Sequence, residues 1–477
     1  MYRALIGIPA RINLRTAMRP GLGAISRSET AVLALGLLGV GNVWAPLGPS
    51  GEVQPASPGP FVFGFAMIVV AGVLCLLAVG GSSSFPRPLF CAAAIAVPLI
   101  LVPAYVGSAW ELSLAAIVLA AVPMIRRPLF AWAAVIVGAA MVASNLASRW
   151  LWGSAQIDVF REVQGSTHAL LHGENPYSPV YSIFIDHPPH HVILGSASFN
   201  YGPVVVLLSI PARLLGDVRL TLVVLNIAVL AAALIWLRRA WPDRPFDATI
   251  AALWAASPFI PLMILNAWTD VFCFAGLAWW LVLRDRHRNW SVVLLALALA
   301  SKPTMMPLIV PMLFWTRSIW RELLWATAGA LIVVAPFALW TGLPQFVYDT
   351  VTIYSDLPTR HDSVNLNGLS IVLGRGFVPP SLLLLGTVAS VAIFVLRRPR
   401  DYGDLLIAGA GALIAFYLFA KQAFLNYDYN VAMALLFVIA GGSLRPSGPL
   451  TSLVRDAVRL VSGRRRAEAA ATDLEVG

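Results

Sequence analysis

Residues 153–202 read GSAQIDVFREVQGSTHALLHGENPYSPVYSIFIDHPPHHVILGSASFNYG, a polar interruption of an otherwise oily chain. The stretch follows directly on an apolar run that ends near Trp152, and it holds five of the seven histidines. A long polar segment kept beside membrane spans holds chemistry at the bilayer surface. It is expected to be an active-site loop, with Asp158 as its central residue.

Working outward, the 477 residues are 59% hydrophobic and only 12% charged, whereas a soluble domain is about 45–50% apolar. The fold class is therefore an all-α polytopic membrane protein of roughly 12–14 transmembrane helices with an interfacial helix on an outer-face loop. Apolar runs lie at roughly 30–47, 61–80, 89–106, 110–125, 129–151, 219–237, 247–265, 271–283, 322–340, 377–396, 404–420 and 429–442. Two further stretches, 201–216 and 290–315, fit the alternation of sides only as a half-crossing segment interrupted by Pro211 and as a helical hairpin broken at SKP.

Arginine and lysine are retained on the cytoplasmic side. With Arg3 to Arg27 inside, 25 of the 33 basic residues fall in cytoplasmic segments. Both termini are then cytoplasmic, and 153–202, 266–270, 341–376 and 421–428 lie on the outer side of a plasma membrane. The net charge of +10 is scattered over span ends, which argues for topology and against a nucleic-acid partner. Cys75, Cys91 and Cys273 sit in apolar runs and form neither a disulfide framework nor a metal site. The chain divides into a basic flank (1–28), an accessory four-span module (29–126), a catalytic membrane domain (127–443) and a basic tail (444–477).

Only two basic residues are lysines, Lys302 and Lys421. Lys302 sits inside ALALASKPTMMPL, where a cation needs a partner; an anionic ligand and an internal carboxylate such as Asp270 both qualify. Lys421 opens KQAFLNYDYN, as a phosphate contact or an interfacial anchor. The outer segment SDLPTRHDSVNLNG supplies Arg360, His361, Asp362, Asn365 and Asn367. Asp158 falls in the first turns of a helix that Gly173 stops, with Glu162 one turn on as a second carboxylate. Three Pro-rich turns follow, ENPYSP with Asn175 and Tyr177, DHPPHH with Asp186 and His187, and NYGP with Tyr201. The adjacent histidines have no metal-ligand spacing, so they read as substrate contacts or plain loop.

Taken in order, IDVF with HALLHGENPYSP, NYGPVVVLLSIPARLLG, LALASKPTMMPLIVPMLF and DSVNLNGLS resemble the GT-C superfold of polyprenyl-phosphate-sugar-dependent glycosyltransferases across roughly 150–430. The likeness is strongest to glycosyltransferase family 87, the polyprenol-phosphate-mannose-dependent mannosyltransferases. DHPP is similar to the X-Pro-Pro element that follows the catalytic acid in related transferases. The resemblance implies Asp158 as catalytic base and a lipid-phosphate pocket with Lys302 and His361. Two features depart from the family pattern: about five spans precede the catalytic loop, and NAWTD (266–270) replaces the usual Gly-Gln pair.

The implied partners are a polyprenyl-phosphate-sugar donor, a glycolipid or glycan acceptor, and membrane lipid. A carboxylate takes the acceptor hydroxyl proton, and cations (Lys302, Arg360, His361, Lys421) stabilise the departing phosphomonoester. Inversion without a metal or other cofactor is expected. The competing reading is a lipid-linked-glycan flippase or other transporter, since broken helices and buried charge also mark transport sites.

Overall fold

The computed structural model describes residues 25–44, 58–82, 84–101, 110–152, 158–185, 192–244, 247–302, 306–314, 317–356, 363–397, 399, 401–421, 425–442 and 444. In chain order the helices are α1 (Arg27–Trp44), α2 (Pro58–Ala78), α3 (Pro88–Leu101), α4 (Trp110–Ala121), α5 (Pro128–Trp152), α6 (Asp158–Leu171), α7 (Pro203–Leu214), α8 (Arg219–Ala240), α9 (Thr249–Ala255), α10 (Phe259–Leu265), α11 (Asp270–Leu283), α12 (Arg288–Leu299), α13 (Met306–Leu313), α14 (Arg317–Thr341), α15 (Leu343–Val347), α16 (Ile353–Asp356), α17 (Leu366–Val372), α18 (Pro380–Leu396), α19 (Tyr402–Leu418) and α20 (Leu425–Gly441). A π-turn, Tyr348–Thr352, joins α15 to α16. Proline opens α2, α3, α5, α7 and α18, where its missing N–H costs no helical hydrogen bond.

The expected all-helical membrane architecture is present, with one local addition. Tyr181–Ile185 (β1) and Val192–Ala197 (β2) pair antiparallel, Tyr181 opposite Ala197, with a register irregularity at Ile183/Phe184. Their β-branched and aromatic residues suit a short ribbon better than a helix.

Length and burial sort the helices. Windows of α2, α5, α8 and α14 are long and apolar enough to cross a bilayer, yet only 17–44% of each is buried within the protein. Leu129, Ile136, Val224, Ile332 and Leu339 on these helices are exposed, which is the surface that lipid covers. Shorter helices fill the middle: 12 of the 14 residues of α11 are buried, as are 15 of the 17 in α19. Short or broken helices survive at membrane depth because neighbouring protein covers their ends.

Polar contacts gather the helix ends into two layers. In one, Arg27 pairs with Asp401 at 2.7 Å and Asp404 at 2.5 Å. Arg87 pairs with Glu29, Arg284 with Glu322, and the Gly80 amide donates to Asp404. All these residues come from the arginine-rich segments. In the opposite layer Asn42 donates to Asp428 at 2.8 Å and Asn175 to Thr341 at 3.1 Å.

The two ambiguous stretches, 201–216 and 290–315, form short helices. α7 is held at both ends: the Gly202 amide before it donates to the Ser301 carbonyl, while Gln164 of α6 holds the Gly216 carbonyl and the Val218 amide after it. α12 ends at Leu299 and α13 begins at Met306, with Ser301 and Lys302 between them. The run at 247–265 also breaks, at Ser257–Pro258 between α9 and α10. α1 and α2 share one continuous apolar core with α19 and α20, so the segment before residue 126 is built into the bundle.

Candidate functional site

α6 lies across this second layer, packed on α7 and on β1. Gly165 permits the β1 contact, since a Cβ there would crowd the Tyr181 ring, and the Tyr181 hydroxyl lies 3.1 Å from Ser166 Oγ. Asp158 is the first residue of the helix and half-buried, its Oδ1 accepting the Val159 amide at 2.8 Å. Glu162, one turn on, is 1% exposed, and its Oε2 has no hydrogen-bond partner. Burial pushes the Glu162 carboxyl well above the usual glutamate range and the charge of Asp158 adds to this, against a smaller lowering by the Asn200 backbone N–H.

Asn200 leads into the NYGP turn, which runs from this carboxylate pair to Lys302. Tyr177 supports the turn from below by donating to the Tyr201 carbonyl at 2.9 Å, and its ring packs edge-on against Phe199 and Phe346. Asn175 Oδ1 in turn accepts the Tyr177 amide at 3.0 Å. Gly202 lies so close to the hairpin break that a Cβ would overlap the Ala300 carbonyl. This close approach sets the Tyr201 ring centroid 5.6 Å from Lys302 Nζ.

Lys302 is paired. Its Nζ lies 3.0 Å from both carboxylate oxygens of Asp270, with side-chain exposures of 6% and 0%. Asp270 opens α11, where the positive helix end favours a carboxylate. It also accepts from Asn426 Nδ2 at 2.7 Å and Asn430 Nδ2 at 3.4 Å. Tyr427 covers the ammonium from the other side, 4.6 Å from its ring centroid. Of the two partners that the sequence leaves open for Lys302, the structure supplies the carboxylate.

Asn365 is fully buried and caps α17 by accepting the Gly368 amide at 2.8 Å. Its amide donates to the Ala420 carbonyl at 2.9 Å, and that of Asn367 to the Lys421 carbonyl at 3.4 Å. The two asparagines thus tie the start of α17 to the end of α19, beside the half-buried Lys421. Asp186, His187, Arg360, His361 and Asp362 lie outside the described residues.

Three participants escaped the sequence reading. Asn426 and Asn430 stand four apart in LNYDYN and so share a helix face, the signal that marks them as a pair. Asp349, in the π-turn, is 2% exposed, with Oδ1 accepting from Gln345 at 2.9 Å and Oδ2 unpartnered. It lies near Tyr177, whose hydroxyl burial and the Asp349 charge both hold above its ordinary titration range.

A helical bundle with lipid-facing apolar helices, and with a buried Lys302–Asp270–Asn426–Asn430 cluster in the same layer as an amphipathic helix, defines a polytopic membrane protein with a buried polar site. The model of glycosyltransferase family 87 matches residues 199–440, about half of the chain, and the chain belongs to that family. It is therefore a membrane glycosyltransferase, with a sugar donor and an acceptor. No curated relative and no solved structure matches it. The matched region takes in Tyr201, Asp270, Lys302, Asn426 and Asn430, and leaves α6 with its two carboxylates outside.

Proposed function

We propose that the chain moves a hexose, with mannose favoured, from a polyprenyl-phosphate-sugar to a lipid-linked, glycan or protein acceptor. Transfer takes place on the extracytoplasmic face of the plasma membrane, with inversion and without a metal. One observation carries the reading: the NYGP turn links the carboxylates of α6 to the Lys302–Asp270–Asn426–Asn430 cluster in a single layer. The arginine-rich ends gather in the opposite layer, which supports placing the site on the outer side.

In this mechanism the acceptor hydroxyl oxygen attacks the anomeric carbon as the bond to the phosphate oxygen breaks. The electron pair leaves with the phosphate, and the hydroxyl proton passes to Asp158. Glu162 keeps its own proton, so the pair presents one carboxylate rather than two repelling charges. Lys302 is held by Asp270, and the phosphate falls to Lys421 and to Arg360 and His361. The helices of 29–126 support the catalytic domain rather than line the site.

Membranes containing the protein, supplied with radiolabelled polyprenyl-phosphate-mannose, polyprenyl-phosphate-glucose or a nucleotide-mannose, test the proposal. Transfer from the polyprenyl donors is expected. Transfer only from the nucleotide sugar would refute the donor class, and preference for glucose would refute the sugar.

A further inference from the structure

A cavity lies in the opposite layer, away from the candidate site. It encloses about 510 Å³ where α3 and α5 begin, against the segment that leads into α9. Phe85, Pro88, Arg126, Pro128, Arg244 and Asp247 are among its walls. Its volume is that of a small-ligand site, and nothing in the glycosyl-transfer reading uses it.

The electrostatics of the walls select the ligand. Arg244 stacks on Phe85 with its guanidinium carbon 4.8 Å from the ring centroid, and its Nη1 lies 3.2 Å from Asp247 Oδ2. Asp247 Oδ1 accepts the Thr249 amide at 2.9 Å. Both oxygens of the carboxylate are thus engaged and its charge is balanced by Arg244. Arg126 then leaves the cavity one positive charge in excess. α3, of 14 residues, and α5, of 25, both start at the wall, and the positive ends of their dipoles add to the potential. The apolar faces beside it, with Leu129 and Phe130 exposed, are lipid-facing surface.

We propose that this cavity takes the phosphodiester headgroup of an anionic phospholipid from the adjacent leaflet. Its acyl chains lie along the exposed side of α5. Basic pockets between transmembrane helices at the positively charged face recognise such headgroups. The bound lipid would bridge α3 and α5 to the start of α9, joining the first spans to the catalytic domain.

The test uses the full-length protein in nanodiscs of phosphatidylcholine with 10-mol-percent-scale amounts, roughly as in anionic bilayers, of phosphatidylglycerol. Bound lipid is counted by native mass spectrometry. Wild type is expected to retain phosphatidylglycerol in preference to phosphatidylcholine. The variant Arg126→Gln/Arg244→Gln is expected to lose affinity by about five-fold for each arginine, the weight of one basic residue at an anionic surface. Arg126→Lys, which keeps the charge, should retain most of the binding, while Arg126→Gln alone, which leaves the Arg244–Asp247 pair intact, should lose binding with an unchanged thermal melt, so that loss of the site is distinguished from misfolding. Equal retention of the anionic lipid by wild type and double variant overturns the proposal. Displacement of the lipid by millimolar-scale glycerol 3-phosphate, about the range of weak anion sites, overturns the lipid source in favour of a soluble phosphate. Neither readout involves glycosyl transfer, so failure here leaves the reading of the active site standing.

Discussion

Replacing Lys302 with methionine separates a lysine that holds the fold from one that holds a ligand. In the wild type its ammonium sits 3.0 Å from each oxygen of a carboxylate with 0% exposure. Methionine keeps the volume and removes the charge, leaving Asp270 with two asparagine amides as donors. Breaking one side of a buried pair costs about 3–5 kcal/mol, because the remaining charge stays out of water; an exposed pair would cost at most about 1 kcal/mol. Asp270→Asn should cost less than Lys302→Met, since the rings of Tyr201 and Tyr427 still cover the ammonium. The double variant Lys302→Met/Asp270→Asn should recover part of the loss, with a coupling of roughly 1–3 kcal/mol. Denaturant titration of purified protein in mixed micelles, followed by the fluorescence of its 16 tryptophans, measures all four corners of the cycle. A loss under about 1 kcal/mol for Lys302→Met, with no coupling, would refute the pairing as what keeps the lysine in place.

Asp158→Asn should abolish sugar transfer while the purified protein still inserts and binds its lipid donor, because the amide cannot take the hydroxyl proton; near-normal turnover would remove Asp158 as base. Glu162 has a folded-state pKa raised from the ordinary 4.5, so the folded chain binds the extra proton, and stability should fall as pH rises above about 4.5 through that raised value. Glu162→Gln should flatten this fall in thermal melts taken across the pH range, and an unchanged pH slope would count against the buried proton. Gly202→Ala forces a Cβ into the Ala300 carbonyl and should cost about 1–3 kcal/mol, seen as a lowered melting midpoint together with reduced transfer.

The positions of the apolar helices, the Pro211-interrupted helix within 201–216 and the break in 290–315 around Ser301 and Lys302 were legible because each is a local property. Apolar length, proline and arginine placement act within one or two turns of the residues that carry them. The amphipathic helix from Asp158 to the Gly173 stop was legible for the same reason. The partner of Lys302 was not, because Asp270 lies 32 residues away and periodicity does not say which faces of α11 and α12 meet. The β1–β2 ribbon escaped notice because five or six residues are too few for alternation to stand out among Pro-rich turns. Asp349 carried no local signal at all: its burial comes from a π-turn folded over Tyr177. The candidate site therefore divides, with Asp158, Glu162 and Lys302 picked out by type and place, and Asn426, Asn430 and Asp349 recognisable only once distant segments are brought together.

Arg27 reaches its two aspartates across 374 and 377 residues of chain. At about 5–20 residues per second of synthesis, α1 enters the membrane roughly 20–75 s before α19 arrives to meet it. During that interval the guanidinium that is later buried lacks both of its aspartate partners. The pairing of α1 with α19 is thus made late, and the contact between these two helices waits on the synthesis of nearly all that lies between them.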